Sequence, residues 1–242
     1  LPSATLLLAL LAVFALVVTA CGDDDDGDVN VSGDATGTED AAGGADDDAA
    51  FPVTVTVGGA DVTIDAMPEA IVSMNPTGTE MLYAVGAGDQ VTAVDSLSNF
   101  PEGTPIVEDL SAFEPNLEAI VGLDPDLVVM NDSAPEVSEG LIAADIPTIV
   151  LPAATTLDDT FAQIEQLGAA TGHVGDAAEV VLGMQTRIDE LVAEIPESDT
   201  APTYFHELDD TLYSVTSTTF IGEIYALAGL ENVADAADRH AR

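Results

Sequence analysis

The chain has 242 residues, of which 45 are Asp or Glu and only 3 are Lys or Arg, so its formal net charge is −42. A surface this anionic repels phosphate backbones, which argues against a nucleic-acid partner. The apolar fraction of 47% is enough for one large or two small folded domains. The acidity is more typical of an acidic or salt-adapted proteome than of a specific cation site.

The amino-terminal segment has the pattern of an export signal. Leu6 to Val18 is an uninterrupted apolar run that is short for a membrane span. It ends in small residues, so residues 1–20 are predicted to be a secretory signal peptide. No Lys or Arg precedes the run and the chain starts with Leu1, so we expect the sequence to be clipped at its amino end.

Cys21, the only cysteine, directly follows this run, and the junction resembles a bacterial lipobox. That resemblance implies cleavage before Cys21, lipidation of its thiol and amine, and an extracytoplasmic location at the cell membrane. A free thiol is the alternative. The rest of residues 21–50 is Asp, Gly, Ala, Thr and Ser, which predicts a disordered acidic tether.

A hairpin and a strand–helix–strand unit are predicted next. Alternating valines from Val53 to Val57, a Gly-Gly pair, and Val62 with Ile64 indicate the hairpin. The apolar run Ile71 to Met74 is a strand that must end at Asn75-Pro76, since proline disfavours helical backbone in the residue before it.

The predicted helix of this unit runs from about Gly78 to Val85. Thr77 is the expected N-cap, with Glu80 at the third helical position completing a capping box. Val91 to Val94 then forms a second strand, and the crossover should be right-handed. The loop Asn75 to Thr77 therefore lies at the carboxyl end of a strand, where open α/β sheets bind ligands.

Strands and helices continue to alternate, which predicts a parallel sheet covered on both faces. After a turn-rich loop from Ser96 to Pro105, the predicted elements are a helix capped by Asn116 and ending at Val121, a strand Leu127 to Met130, a helix Ala134 to Ala144, a strand Thr148 to Leu151, and a helix Leu157 to Ala170 capped by Thr156.

Several stretches in a fixed order carry a family resemblance: IVSMNPTGTEMLYAVGAGDQVTAVD, the SNFP loop, NLEAIVGLDPDLVV and IPTIVL. From Pro68 to its end, the chain resembles the substrate-binding lipoproteins of ABC importers for ferric siderophores, haem and cobalamin. The resemblance implies an α/β fold of two Rossmann-like lobes joined by a long backbone helix, here with the second lobe truncated.

The domains expected on this basis are a first lobe at residues 51–173, a linking helix at 174–196 and the start of a second lobe at 197–242. Apolar residues at helical spacing from Gly175 to Ile195 predict the linking helix. The second lobe should open with strands Thr203 to Phe205 and Leu212 to Val215, followed by a helix from Phe220 to Ala228.

The two lobes show a weak internal repeat. Glu80 precedes Gly86 by six positions, and Glu223 precedes Gly229 by the same interval. In the resembled family one glutamate on each lobe binds arginines of the importer's membrane subunits, so Glu80 and Glu223 are the predicted docking residues.

Enzyme chemistry finds little support in the sequence. His173, His206 and His240 have no metal-ligand spacing, and no nucleophile elbow or phosphate-binding glycine motif occurs. His173 is expected at a helix end. His206 is predicted either to be a structural histidine or to line the cleft. We therefore predict neither catalysis nor a resident metal or cofactor.

The resemblance places the ligand between the lobes, at loops that end strands. The predicted ligand-binding residues are Asn75, Pro76, Thr77, Ser96, Asn99, Phe100, Phe113, Asn131, His206 and Tyr213, with the neighbouring loops Asn131 to Ser133 and Ala153-Ala154. The aromatic members can stack on a macrocycle or cover a chelate's apolar rim, or they can simply pack.

Two functions remain open at this stage. The first is a monomeric binding protein that delivers a metal chelate to an ABC importer permease. The second is an acidic cell-envelope interaction protein without chelate binding. No arginine occurs before Arg187, so any chelate is expected to be neutral or weakly charged, such as a hydroxamate siderophore or cobalamin.

Overall fold

The computed structural model describes residues 51–196 and 200–238. The predictions of a signal peptide, of lipidation at Cys21 and of an acidic tether lie outside the described residues, and so does His240.

Four parallel strands form the central sheet. A separate antiparallel hairpin precedes it, as the sequence predicts, and pairs Val53 with Ile64. The strands are β1 Val53–Val57 and β2 Ala60–Ile64 in the hairpin, and β3 Ile71–Met74, β4 Val91–Val94, β5 Leu127–Asn131 and β6 Thr148–Leu151 in the sheet, in the spatial order β4-β3-β5-β6. All four carboxyl ends therefore meet at one edge.

Helices connect these strands and continue beyond them. They are α1 Pro76–Ala84, α2 Leu117–Val121, α3 Pro135–Ala143, α4 Leu157–Thr171, α5 Val174–Ala193, α6 Phe220–Leu227 and α7 Asp235–Asp238, with a 3₁₀ turn at Ala87–Gln90. Two short parallel strands, β7 Thr203–Tyr204 and β8 Glu231–Asn232, flank α6. The expected α/β fold, with a 20-residue helix between two α/β segments, is confirmed.

The sheet is buried on both faces, which explains why its strands are apolar at nearly every position. On β5, Leu127 and Val129 face a core shared with α1, α4 and the hairpin, whereas Val128 and Met130 face a core shared with α2 and α3. The alternation follows from the two-residue period of a strand. Burial on both sides also fixes the strand register, since a slip of one residue would exchange the two faces.

The predicted start of α1 is wrong. Asn75, not Thr77, is the N-cap: its side-chain oxygen accepts the backbone N–H of Gly78 at 3.1 Å, and Pro76 occupies the first turn. Proline suits the first helical position because its fixed φ is helical and it has no N–H to satisfy. Glu80 therefore does not stand at the third helical position, and the expected capping box with Thr77 does not form.

The predicted caps of two other helices are confirmed. Asn116 accepts the backbone N–H of Ala119 at 3.1 Å, and Thr156 accepts that of Asp159 at 3.1 Å. Asp159 accepts in return from the N–H of Thr156 at 2.9 Å, which completes a capping box at the start of α4.

The strand predicted at Leu212 to Val215 is also wrong. Asp209 accepts the N–H of Thr211 at 2.8 Å, and Leu212 has a φ of 66°, so the chain turns instead of extending. The strand-like contact that this segment does make is an isolated antiparallel bridge between Glu207 and Ser214. The Asp side chain offers the backbone a local partner that competes with a sheet ladder.

The internal repeat has a structural counterpart. Each copy is a strand, a helix and a parallel strand, β3-α1-β4 in the first and β7-α6-β8 in the second. Each helix is followed by a left-handed glycine, Gly86 with φ 89° and Gly229 with φ 70°. A glycine adopts this conformation without the steric cost that a Cβ adds, which is why it ends both helices.

The Asp159 carboxyl group gives a prediction for acid stability. Hydrogen bonds from the side chain and backbone of Thr155, and then those of Thr156, hold its pKa at about 2, below the ordinary 3.8. A depressed pKa in the folded state adds stability above the unfolded pKa and loses it as the pH falls through the folded pKa. We expect Asp159→Asn to lower the free energy of unfolding at neutral pH, and the difference from wild type to disappear between about pH 4 and pH 2.

Denaturant unfolding at a series of pH values measures this difference. Asp158→Asn is the matched control, because Asp158 is exposed in the same turn and makes no side-chain hydrogen bond to any described residue. A difference for Asp159→Asn that stays constant down to pH 2 would contradict the assignment.

Candidate functional site

A cavity of about 440 Å³ opens at the carboxyl ends of β3, β5 and β6. This volume lies in the range of small-molecule sites. The residues that line it are Asn75, Thr77, Met81, Asn131, Asp132, Leu151, Pro152, Ala153, Ala154, Thr160, Gln163 and Phe220. Phe220 is the member of this set that lies beyond α5, so both α/β segments contribute to the cavity.

The β3–α1 turn forms one wall of the cavity. Asn75 is half-buried and holds the first turn of α1 through Gly78, while the exposed Thr77 follows on the rim. Beneath them the buried Thr79 hydroxyl donates to Ser73 Oγ at 2.8 Å, which ties the helix back to its strand. The turn is therefore a rigid edge of the site.

The β5–α3 turn forms the next wall. Asn131 accepts the backbone N–H of Ser133 at 2.9 Å, and its amide nitrogen donates to Ala112 O at 3.4 Å. The Ser133 hydroxyl donates to the same carbonyl at 3.4 Å. These bonds join the cavity wall to the loop that carries Phe113.

The β6–α4 connection closes the third side. The Gln163 amide on α4 donates to the backbone oxygen of Pro152 at 2.8 Å and holds the segment that follows β6 against the helix. Farther along this connection, the capping box of Thr156 and Asp159 fixes where α4 begins. The position of this wall is thus fixed by the buried side chain of Gln163 and by the cap of α4.

The lining is almost uncharged. Asp132, which is exposed, is the one ionisable group among the described residues that line the cavity, and Arg187 is the one arginine in the described ranges. The remaining groups are amides, hydroxyls and apolar side chains. Such a lining suits a ligand with an apolar face and uncharged polar groups.

Four predicted binding residues lie outside this cavity, in the loops after β4. Ser96 and Asn99 belong to the loop that holds Phe100, which is 62% exposed, and Phe113 is 77% exposed. The fully buried Asp95 fixes this region by accepting the N–H of Leu97 at 2.9 Å and by bonding the hydroxyl of Ser98. The N–H of Ser96 donates to Leu110 O at 3.0 Å, which joins the two loops.

The structure does not bring the two predicted second-lobe residues to the cavity. His206 Nδ1 lies 3.1 Å from the hydroxyl of Tyr225, and the Tyr225 ring stacks on Tyr204 with centroids 3.9 Å apart. Tyr213 is 68% exposed in the turn after β7. Pro76, the first residue of α1, also lies outside the lining.

Six lining residues are absent from the predicted set: Met81, Leu151, Pro152, Thr160, Gln163 and Phe220. The internal repeat contained a signal for Phe220. The spacing that matches Glu223 to Glu80 and Gly229 to Gly86 also matches Phe220 to Thr77, which lines the cavity. The other five residues reach the cavity from within helices or from the end of β6. At such positions the sequence pattern predicts burial in the core but gives no sign of a binding site.

Two kinds of feature are absent from the described ranges. No cluster of three His, Cys, Asp or Glu side chains is arranged to hold a metal ion within residues 51–196 and 200–238. In the same ranges no helix combines the length and hydropathy needed to cross a bilayer.

An open parallel sheet with helices on both faces and a cavity at its carboxyl edge is an architecture of α/β ligand-binding domains. The chain belongs to the periplasmic binding protein family, whose model it matches over residues 71–242.

Individual relatives are similar over most of the chain. A cobalamin-binding protein of Halobacterium salinarum is 30% identical over 196 residues, which cover 78% of this chain and 53% of the relative. A Bacillus subtilis protein named YvrC, described as an uncharacterized ABC transporter substrate-binding lipoprotein, is 30% identical over 193 residues, which cover 76% of this chain and 62% of the relative. The chain thus spans between half and two thirds of the length of these relatives.

The fold has solved counterparts. The vitamin B12 binding protein BtuF of Vibrio cholerae superposes with a TM-score of 0.57 at 24% identity, covering 69% of this chain and 67% of that structure. This similarity establishes the shared fold.

The Asn75 cap at the start of α1 gives a second prediction. Asn75→Ala removes the acceptor for Gly78 N–H and should lower the free energy of unfolding by about 1 kcal/mol, whereas Asn75→Asp should retain most of it. Thr77→Ala should change it by less than about 0.5 kcal/mol, because Thr77 is exposed and caps nothing. Urea unfolding of the three variants measures these values. A larger loss for Thr77→Ala than for Asn75→Ala would show that the cap is misassigned.

Proposed function

We propose that the protein is the extracytoplasmic solute-binding component of an ABC importer, and that it captures a neutral metal chelate of the cobalamin type and delivers it to the permease. The observation that carries this proposal is the nearly uncharged cavity at the carboxyl edge of the sheet. A hydroxamate ferric siderophore is the other ligand of suitable charge.

The absence of cations from the lining supports the choice of ligand. Recognition of carboxylate or phosphate groups in proteins is usually bidentate and uses arginine. The described lining offers none, and its single ionisable group, Asp132, repels anions. A triscatecholate or a haem with free propionates would find no counter-charge on these walls.

The names of two relatives support a cobalamin-type ligand and a role in an ABC importer. One relative is named as a cobalamin-binding protein, and another as an ABC transporter substrate-binding lipoprotein. The second name also supports the proposal that lipid attached at Cys21 anchors the protein to the membrane.

Docking to the permease is assigned to Glu80 and Glu223. Glu80 is exposed and, among the described residues, has no hydrogen-bond or ion-pair partner. Glu223 is half-buried, and its Oε2 is buried without a hydrogen-bond partner in the described ranges. A buried carboxylate oxygen without a partner is costly, and an arginine from another chain would relieve that cost.

The two glutamates are equivalent when counted from the ends of their helices. Each lies six residues before a left-handed glycine, Gly86 or Gly229. Counted from the caps they differ by one residue, because α1 has nine residues and α6 has eight. A partner that binds both must therefore present its cations to the middle of α1 and to the end of the first turn of α6.

Ligand binding tests the function. In calorimetry the protein at its full natural length should bind cyanocobalamin, and should bind a ferric triscatecholate at least ~10-fold more weakly, because a desolvated anion without a counter-charge is unfavourable. Tight binding of the catecholate without binding of any neutral chelate would refute the proposal. No binding of any chelate would favour an acidic envelope protein that acts by interaction alone.

Uptake tests the docking residues. Glu80→Gln combined with Glu223→Gln should leave cyanocobalamin affinity and Tm nearly unchanged, since neither carboxylate is bonded within the described chain, but should weaken permease binding and uptake by about 10-fold or more. Glu139→Gln combined with Glu179→Gln is the matched control, because both residues are exposed on helices and the charge change is the same. Uptake by the docking variant equal to that of the control would rule this role out.

A further inference from the structure

Gln163 is an unusual member of the cavity lining. It lies on α4, is only 6% exposed, and borders both the main cavity and a smaller one of about 320 Å³ on the other side of the segment after β6. Buried amides in proteins normally have partners for both their donor and their acceptor.

One side of the Gln163 amide is satisfied by the protein. Its nitrogen donates to Pro152 O at 2.8 Å. Because a backbone carbonyl can only accept, this bond fixes which way the amide is turned. Oε1 must face away from Pro152, and it has no hydrogen-bond partner among the described residues.

Three other polar side chains of the cavity already have hydrogen-bond partners. Asn75 Oδ1 accepts from Gly78, Asn131 Oδ1 accepts from Ser133, and the Thr160 hydroxyl donates to Thr156 O at 3.4 Å. Around them the walls are apolar, with Met81, Leu151 and Phe220 among the contributors. Gln163 Oε1 is thus an acceptor with no internal partner, on a mostly buried residue in a largely apolar surround.

We propose that Gln163 is a specificity-determining residue of this site: Oε1 accepts a hydrogen bond from an uncharged donor on the ligand's edge, a primary carboxamide or a hydroxyl. This inference rests on the proposed function and specifies the chemistry of its ligand. A ligand that carries a carboxylate at the same point meets the Oε1 lone pairs and the nearby Asp132 instead of a donor.

The specificity has a physical source. A site built to hydrogen-bond a donor discriminates strongly against an analogue that lacks it, because the bound analogue then covers the acceptor and leaves it unpaired. Gln163 meets that condition, since α4 and Pro152 hold its amide in place before any ligand arrives.

The test uses cyanocobalamin and its monocarboxylic acids, in each of which one side-chain carboxamide has been hydrolysed. Wild type should bind at least one of these acids about 10-fold more weakly than cyanocobalamin, equivalent to about 1.4 kcal/mol. Gln163→Met should weaken cyanocobalamin binding by about 10-fold while leaving that acid nearly unaffected, so the ratio of the two Kd values should fall toward one.

Gln166→Met is the matched control. Gln166 lies three residues further along α4 and makes the same kind of bond, from its amide nitrogen to Thr56 O at 2.8 Å, but it does not line the main cavity. It should lose stability as Gln163→Met does and keep the wild-type Kd ratio.

The outcomes distinguish a failure of the role of Gln163 from a failure of the proposed function. Cyanocobalamin binding with an unchanged Kd ratio in Gln163→Met would overturn the role of Gln163 and leave the function intact. If wild type bound every monocarboxylic acid as tightly as cyanocobalamin, the role of Gln163 would also be overturned and the proposed function would stand. This outcome needs no variant. No chelate binding by wild type would overturn the proposed function and this inference together.

Discussion

The turn from β3 into α1 is the constraint on which the site depends. β3 lies inside the sheet and is fully buried, so the chain must leave the sheet immediately after Met74 without leaving buried backbone groups unpaired. Asn75 meets this requirement by accepting the N–H of Gly78, and Pro76 needs no partner at all. The turn is therefore short, and the carboxyl edge of the sheet stays open for the cavity.

The sequence could predict the sheet because burial on both faces leaves a simple trace, a short apolar run between turn residues. It could not settle the start of α1, where two rules compete. Thr77 with Glu80 has the pattern of a capping box, whereas Asn75 before Pro76 has the pattern of a cap followed by a first-turn proline. The second arrangement prevails because it also pairs the first N–H groups after the strand end. At Leu212, the side chain of Asp209, three residues earlier, was enough to replace a strand by a turn, since it accepts the N–H of Thr211.

The site was less predictable than the fold for a geometric reason. Strand ends can be located from periodicity, which is how Asn75 and Asn131 were found. The side chains that complete the cavity, Met81 and Gln163, come from helices whose rotation about their axes depends on packing. The internal repeat was the one further sequence signal, since its spacing matches Phe220 to Thr77, another lining residue.

Charge acts on two length scales in this molecule. Exposed charges are screened beyond roughly 10 Å at 0.1 M salt. Most of the net charge of −42 therefore affects a ligand only while it approaches the protein, not once it is bound. Inside the cavity the relevant groups are few: one exposed carboxylate and a set of amides and hydroxyls, most of them already bonded. The proposed rejection of anions therefore should not depend on the overall charge and should persist in high salt, because unpaired acceptors and missing cations are local and unscreened. The proposed docking is the opposite case: the exposed Glu80 would attract a cation through solvent, and its contribution should weaken as salt rises.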